Sequence, residues 1–105
     1  MTGKMNKGRL PRGVIRAVSG IVEDVRSEPY CTIISESTEV ISPDVQSERV
    51  RLQIIIAVQL SVSNNREWSF DRLQRRYNLP CSISYFKKQK YRYIREIAKR
   101  CGFME

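Results

Sequence analysis

Residues 68–103 read WSFDRLQRRYNLPCSISYFKKQKYRYIREIAKRCGF. A short amphipathic segment, a break and a long basic segment studded with aromatics follow one another. Ser69 is placed to cap a helix over 70–77, whose Phe70, Leu73 and Tyr77 share an inner side. Asn78-Leu79-Pro80 then interrupts the chain. Cys81 or Ser82 opens a last helix, and Gly102 suits the position just past its C-terminus. About twenty residues make a rod of about 30 Å. Helix, break and helix at this spacing predict a helix-turn-helix at 70–101, and the rest of the chain reads as its support.

At about 100° per residue, the last helix sorts into two faces. Ile83, Phe86, Ile94, Ile97 and Cys101 lie together, with Tyr93 at the edge, and are expected to pack inward. Lys90 falls in the middle of that face, so either its ammonium snorkels or the helix leaves the core there. The opposite face carries Ser84, Tyr85, Lys88, Arg92, Arg95 and Lys99, with Gln89 beside them. Glu96 is the single acid in this basic run.

That face suits a duplex. Lys and Arg neutralise phosphates and release counterions, and hydroxyls and N–H groups at a helix start grip phosphate. Side chains near the start of a recognition helix are the ones that reach base edges in the major groove. Ser82, Ser84, Tyr85, Lys88 and Gln89 are therefore candidates for base contact, and Arg92, Arg95 and Lys99 for the backbone. An ordinary solvated helix face is the plainer alternative. Tyr85, Tyr91 and Tyr93 among the bases could instead stack single-stranded bases, or simply pack. Trp68 reads as a core plug.

The bulk charge agrees with an anionic partner. The chain has 105 residues, 19 Lys plus Arg against 11 Asp plus Glu, a net charge of +8 and a pI near 9.8. Its charge is segregated. Residues 1–16 hold five bases and no acid, residues 17–65 are net −4, and residues 66–105 are net +7. Two basic ends around an acidic middle suggest a footprint rather than general solubility. Nucleic acid fits this balance, as would an acidic protein surface or an anionic membrane.

Upstream, residues 1–10 read as a flexible basic arm, and residues 11–105 as one small helical domain. Pro11 suits a first helical turn. Val14, Ile15, Val18, Ile21, Val22 and Val25 recur at spacings of three and four, which predicts a helix over 12–26 with one apolar stripe. Pro29 ends it. Residues 27–43 read as an irregular connection with room for a short strand within 30–41, where Thr32-Ile33-Ile34 and Glu39-Val40-Ile41 are β-prone.

Residues 50–62 read two ways. Ser42 before Pro43, with Asp44 and Glu48 following, is a helix start signal, and a helix over 43–62 would be the central buried one. Yet Val50, Leu52, Ile54, Ile56, Val58, Leu60 and Val62 also alternate strictly, as in a strand. Residue by residue the two are evenly matched.

Nothing points to catalysis. There is no histidine, no cysteine with an activating neighbour and no Gly-rich phosphate loop. Cys31, Cys81 and Cys101 are odd in number and far apart, without metal-ligand spacing, which fits free thiols in a reducing cytoplasm. No apolar run follows the basic N-terminus and none is long enough to span a membrane, so neither a signal peptide nor a membrane partner is expected. No cofactor is implied.

The last helix resembles small transcriptional regulators of phages and prophages in low-GC Gram-positive bacteria, of the RinA and ArpU type, whose C-terminal part is similar to sigma region 4. The matching residues are Leu79-Pro80-Cys81-Ser82, Tyr85-Phe86, Lys88, Arg92-Tyr93-Ile94, and Ala98 before Gly102-Phe103. Leu10-Pro11 with residues 14–24 resembles the family's first helix, and Asp24-Val25-Arg26 departs from the motif that usually follows it. The resemblance covers about half of the chain and favours the helical reading of 45–62. It implies double-stranded DNA as partner, with Ser82, Ser84, Tyr85, Lys88 and Arg92 at recognition-helix positions, and it implies regulation of late phage genes. A non-catalytic adaptor docking on an acidic protein such as RNA polymerase is the rival reading, followed by an RNA or single-strand binder. The apolar character of 43–62 on nearly every side suggests a homodimer.

Overall fold

The computed structural model describes residues 10–23 and 30–103. Most of the basic arm, the C-terminal end of the first apolar stripe with Val25, the departure at 24–26 and Pro29 lie outside the described residues. Five α-helices and one 3-10 turn follow in order: α1 Arg12–Glu23, α2 Tyr30–Ser37, the turn Thr38–Val40, α3 Glu48–Ser63, α4 Phe70–Tyr77 and α5 Ile83–Arg100.

The helix ends are set by local chemistry. Ser69 Oγ accepts from the Arg72 N–H at 3.3 Å, and Ser82 Oγ from the Tyr85 N–H at 3.2 Å, each satisfying an otherwise orphaned donor. Asn78 ends α4 in the left-handed region at φ 50°, its N–H returning to Gln74 O at 2.8 Å. Gly102, at φ 79°, closes α5. Its N–H bonds Lys99 O at 3.1 Å and the Phe103 N–H bonds Ala98 O at 2.8 Å, a Schellman pair.

α5 is the central element. It packs against α1, α2, the 3-10 turn and α3, while α4 leans on α3. Its buried Phe86, Tyr93, Ile94, Ile97 and Ala98 join Val18, Ile34, Ile41, Ile54, Val58 and Leu73 in one core. Phe70 of α4 meets Phe86 with ring centroids 5.4 Å apart, and Trp68 packs on Tyr77 at 6.3 Å. Dispersion and burial at the Phe70–Phe86 contact hold α4 to α5 over the intervening break, while Trp68 closes the start of α4 onto its end.

Three expectations are corrected. No strand is present among the described residues. The β-prone residues 30–37 form a helix because Tyr30, Ile33, Ile34 and Ser37 recur at three and four and lie together against the core. Residues 48–63 take the helical one of the two readings, the one the resemblance favoured, since Ile54, Ile55, Val58, Ser61 and Val62 share one side at that spacing and no neighbouring strand exists among the described residues to complete a ladder. The helix begins at Glu48 under a Ser47 cap, not at Pro43. Nor is α3 buried all round: Leu52 and Ile56, one turn apart, are 51% and 50% exposed.

Ser42 instead makes a tight corner. It is fully buried with φ 47°, a strained position for a residue with a Cβ. Its N–H donates to Gln89 Oε1 at 2.8 Å and its Oγ accepts from the Tyr85 hydroxyl at 2.8 Å, so α5 pins the corner from both sides. Arg51 secures the same region. Its Nε donates to Ile41 O at 2.9 Å, and its guanidinium also reaches Thr38 O at 3.2 Å and Glu39 O at 3.3 Å. Arg51→Met is expected to lower stability by about 1–2 kcal/mol, read as a lower urea midpoint with unchanged slope.

Candidate functional site

The exposed side of α5 is built by what its other sides bury. With Phe86, Tyr93, Ile97 and Ala98 in the core, Ser84, Lys87, Lys88, Tyr91, Arg92 and Lys99 face solvent. From Ser84 to Arg92 their spacing of three and four makes one continuous stripe, and Lys99 continues it two turns further on. The only acid on the helix, Glu96, accepts from Arg100 Nε at 2.8 Å. Arg100 also pairs with Glu36 and Glu39, each at 3.0 Å, which ties the end of α5 to α2 and the 3-10 turn. The stripe is therefore basic without an interleaved carboxylate, and its helix is braced from behind.

The predicted residues divide. Ser82, Ser84, Lys88, Arg92 and Lys99 are exposed on or beside this stripe. Tyr85 is half-buried, its hydroxyl engaged with Ser42. Arg95 is half-buried, and its Nε is buried with no hydrogen-bond partner among the described residues. Gln89 is the clear departure. It is 2% exposed and points into the core, where Oε1 accepts from Ser42, so it cannot reach a base edge in this fold. The wheel puts it at a boundary between faces, and the buried Ser42 N–H decides which side it takes.

Other side chains also move between faces. Ile83, expected inward, is exposed at the first turn of α5. Tyr93, expected at the edge, is fully buried and receives a hydrogen bond from Gln59 Nε2 at 3.2 Å. Burial pushes its phenol up to about 12, although the Gln59 bond favours the phenolate. Of the three tyrosines considered for base stacking, only Tyr91 is exposed. Burial raises the Cys81 and Cys101 thiols, which keeps them protonated near neutrality.

Sequence reasoning passed over several exposed bases. Lys87 lies three residues past Ser84 and so joins the stripe, a signal present in the spacing, as does Tyr91, which was read only as a stacking candidate. Arg72, Arg75 and Arg76 are exposed on α4, away from buried Leu73. Lys90 is half-buried, and its Nζ donates to Asn65 Oδ1 at 2.6 Å. Desolvation, and secondarily the charge of Lys87, pull its ammonium below the ordinary lysine range.

Among the described residues no group of side chains is arranged to hold a metal ion, and no helix is long and apolar enough to cross a membrane. No family model matches the chain, and no curated protein or solved structure does so either. The geometry of α5 and its surroundings thus carries the functional reading.

Proposed function

We propose that this chain is a non-catalytic DNA-binding protein that lays α5 in the major groove of a duplex, with α4 and α5 acting as a helix-turn-helix. The supporting observation is the acid-free stripe of Ser84, Lys87, Lys88, Tyr91 and Arg92 along the first half of a core-anchored helix. A rigid helix presents its donors without the entropy cost of ordering a loop. In this reading Ser82, Ser84 and Lys88 face base edges, as the start of a recognition helix does. Tyr85 orients the helix through Ser42, and Arg92, Arg95 and Lys99 follow the backbone. The exposed arginines of α4 add phosphate contacts, as first helices of such pairs cross the backbone. The absence of histidine and the protonated thiols support a binding role over catalysis. The resemblance to phage regulators of the RinA and ArpU type makes transcription control in the cytoplasm, near RNA polymerase, the setting of this proposal.

Fluorescence anisotropy against duplexes from the gene's own neighbourhood, with a matched single strand and excess random DNA, tests it. One duplex retained near physiological salt is the expected result. Duplexes that bind only at low salt would leave a general polyanion surface, and the adaptor reading would replace this one.

A second reading, homodimerisation, is favoured by Leu52 and Ile56, since two large aliphatic side chains one turn apart are costly to leave in water. Ile56 also borders a shallow groove of about 230 Å3 with Val22, Ile34, Gln59, Leu60 and Ser63. Sedimentation equilibrium is expected to give a dimer that Ile56→Glu converts to a folded monomer. A wild-type monomer at high concentration rules this out.

A further inference from the structure

A cavity of about 290 Å3 opens where α1, the end of α3 and the middle of α5 meet. Its walls include Ile15, Val62 and Ile94, and polar groups gather elsewhere around it: Ser61, Asn65, Lys87, Lys90 and Tyr91. Lys87, Lys90 and Tyr91 are three and four residues apart, so one side of α5 delivers all three. Asn65 Oδ1 accepts from Lys90 Nζ at 2.6 Å and from Ser61 Oγ at 3.4 Å, which leaves the Asn65 amide hydrogens free to donate.

The charge balance of this cavity is one-sided. No carboxylate lines it, and among the described residues neither Lys87 nor Lys90 takes part in an ion pair. Glu23 lies in an adjoining open depression that also holds Arg16 and Arg66. Two ammonium groups held on one side of a helix repel each other, and Lys90 has in addition given up part of its hydration. A chain gains nothing in stability by keeping such a pair uncompensated. A dianion between them would offset both penalties.

The donors suit a phosphate better than a carboxylate. Two lysines, an amide and a phenol surround a small volume, and lysine serves phosphate as a point charge. The volume lies just below the range of drug-sized sites, which run from roughly 300 to 1,000 Å3, and suits a smaller molecule. Its aliphatic walls can take a compact organic body. We infer that this cavity is a binding site for the phosphate group of a small phosphorylated molecule, gripped by Lys87 and Lys90 with Asn65 and Tyr91. This site shares Lys87 and Tyr91 with the groove-binding stripe but does not depend on that reading.

Thermal unfolding and amide NMR of the full chain, titrated with inorganic phosphate and with pyrophosphate against chloride of equal ionic strength, provide the test. At about ten times Kd the midpoint is expected to rise by about 5 °C or more over the chloride control. The amides of Asn65, Lys87 and Tyr91 should shift together. Lys90→Met should abolish both responses while the free chain melts no lower, since a desolvated charge has been removed. Lys87→Ala, at an exposed position, should weaken phosphate at least about tenfold and keeps the test valid if Lys90→Met misfolds. No response above chloride, or a response that persists in both variants, overturns the proposal. If neither probe binds but Lys90→Met weakens a DNA duplex, the phosphate belongs to a nucleic-acid backbone, which also overturns it.

Discussion

Gln89→Ala is expected to destabilise the protein by about 3 kcal/mol, with a melting midpoint lower on the order of 10 °C or more. Two costs combine. The substitution empties space on the buried side of α5 that also carries Phe86 and Tyr93, three and four residues away, in a close-packed core. It also leaves the Ser42 N–H buried without its 2.8 Å acceptor, at a corner whose left-handed backbone already stores strain. Circular dichroism melts of wild type and variant measure the effect. Tyr85→Phe, which removes only the hydroxyl bond to the same serine, should cost less, about 1 kcal/mol. If Gln89→Ala melts like wild type and instead changes DNA sequence preference, the side chain lies on the binding face and the packing of α5 is rotated from that described.

The pair Lys88→Ala and Arg92→Ala is expected to act on binding alone. Both side chains are exposed and neither has a hydrogen bond or ion pair among the described residues, so the melt should stay within about 0.5 kcal/mol of wild type. Duplex affinity should fall about thirtyfold or more, and the slope of log K against log salt should flatten by nearly two. Lys88→Ala alone should also relax sequence preference, because its place near the start of α5 suits base readout. Lys99→Ala should weaken all sequences alike. Arg95→Ala is a poorer probe: its partly buried side chain makes a stability loss inseparable from a binding loss. Unchanged duplex binding in the double variant would remove α5 as the DNA-contacting element.

Both expectations rest on the same helix, and they separate its two sides. The stretch from Ser69 to Gly102 shows why one part of this was legible and the other was not. Ser69, Asn78, Ser82 and Gly102 act through bonds to backbone groups within five residues, so their roles follow from order along the chain. Leu73, Phe86, Ile94 and Ile97 were equally readable, because strongly apolar side chains at helical spacing have one comfortable place. Gln89 and Tyr93 carry polar atoms that either face can satisfy, and only the neighbours that arrive from elsewhere in the chain decide between them. Ser42 and Gln59, which supply those partners, stand 47 and 34 residues away. Lys87 was passed over although its spacing placed it beside Ser84, and Tyr91 was read only as a stacking candidate.

Composition, capping residues and apolar period thus determined by themselves a mainly helical chain, a short helix and a long basic helix separated by a break at 78–82, and an apolar first helix. The helical state of 30–37 and 48–63 was decided by tertiary structure. β-branched residues there fit strand and helix alike, and burial against α5 selects the spacing of three and four over alternation. The same packing chose which side of α5 meets water, left Leu52 and Ile56 uncovered, and drew Lys90 into a cavity without an acid. The physical reason is range. A cap is a bond between near neighbours, whereas a face is defined only when another element, distant in sequence, comes to cover its opposite.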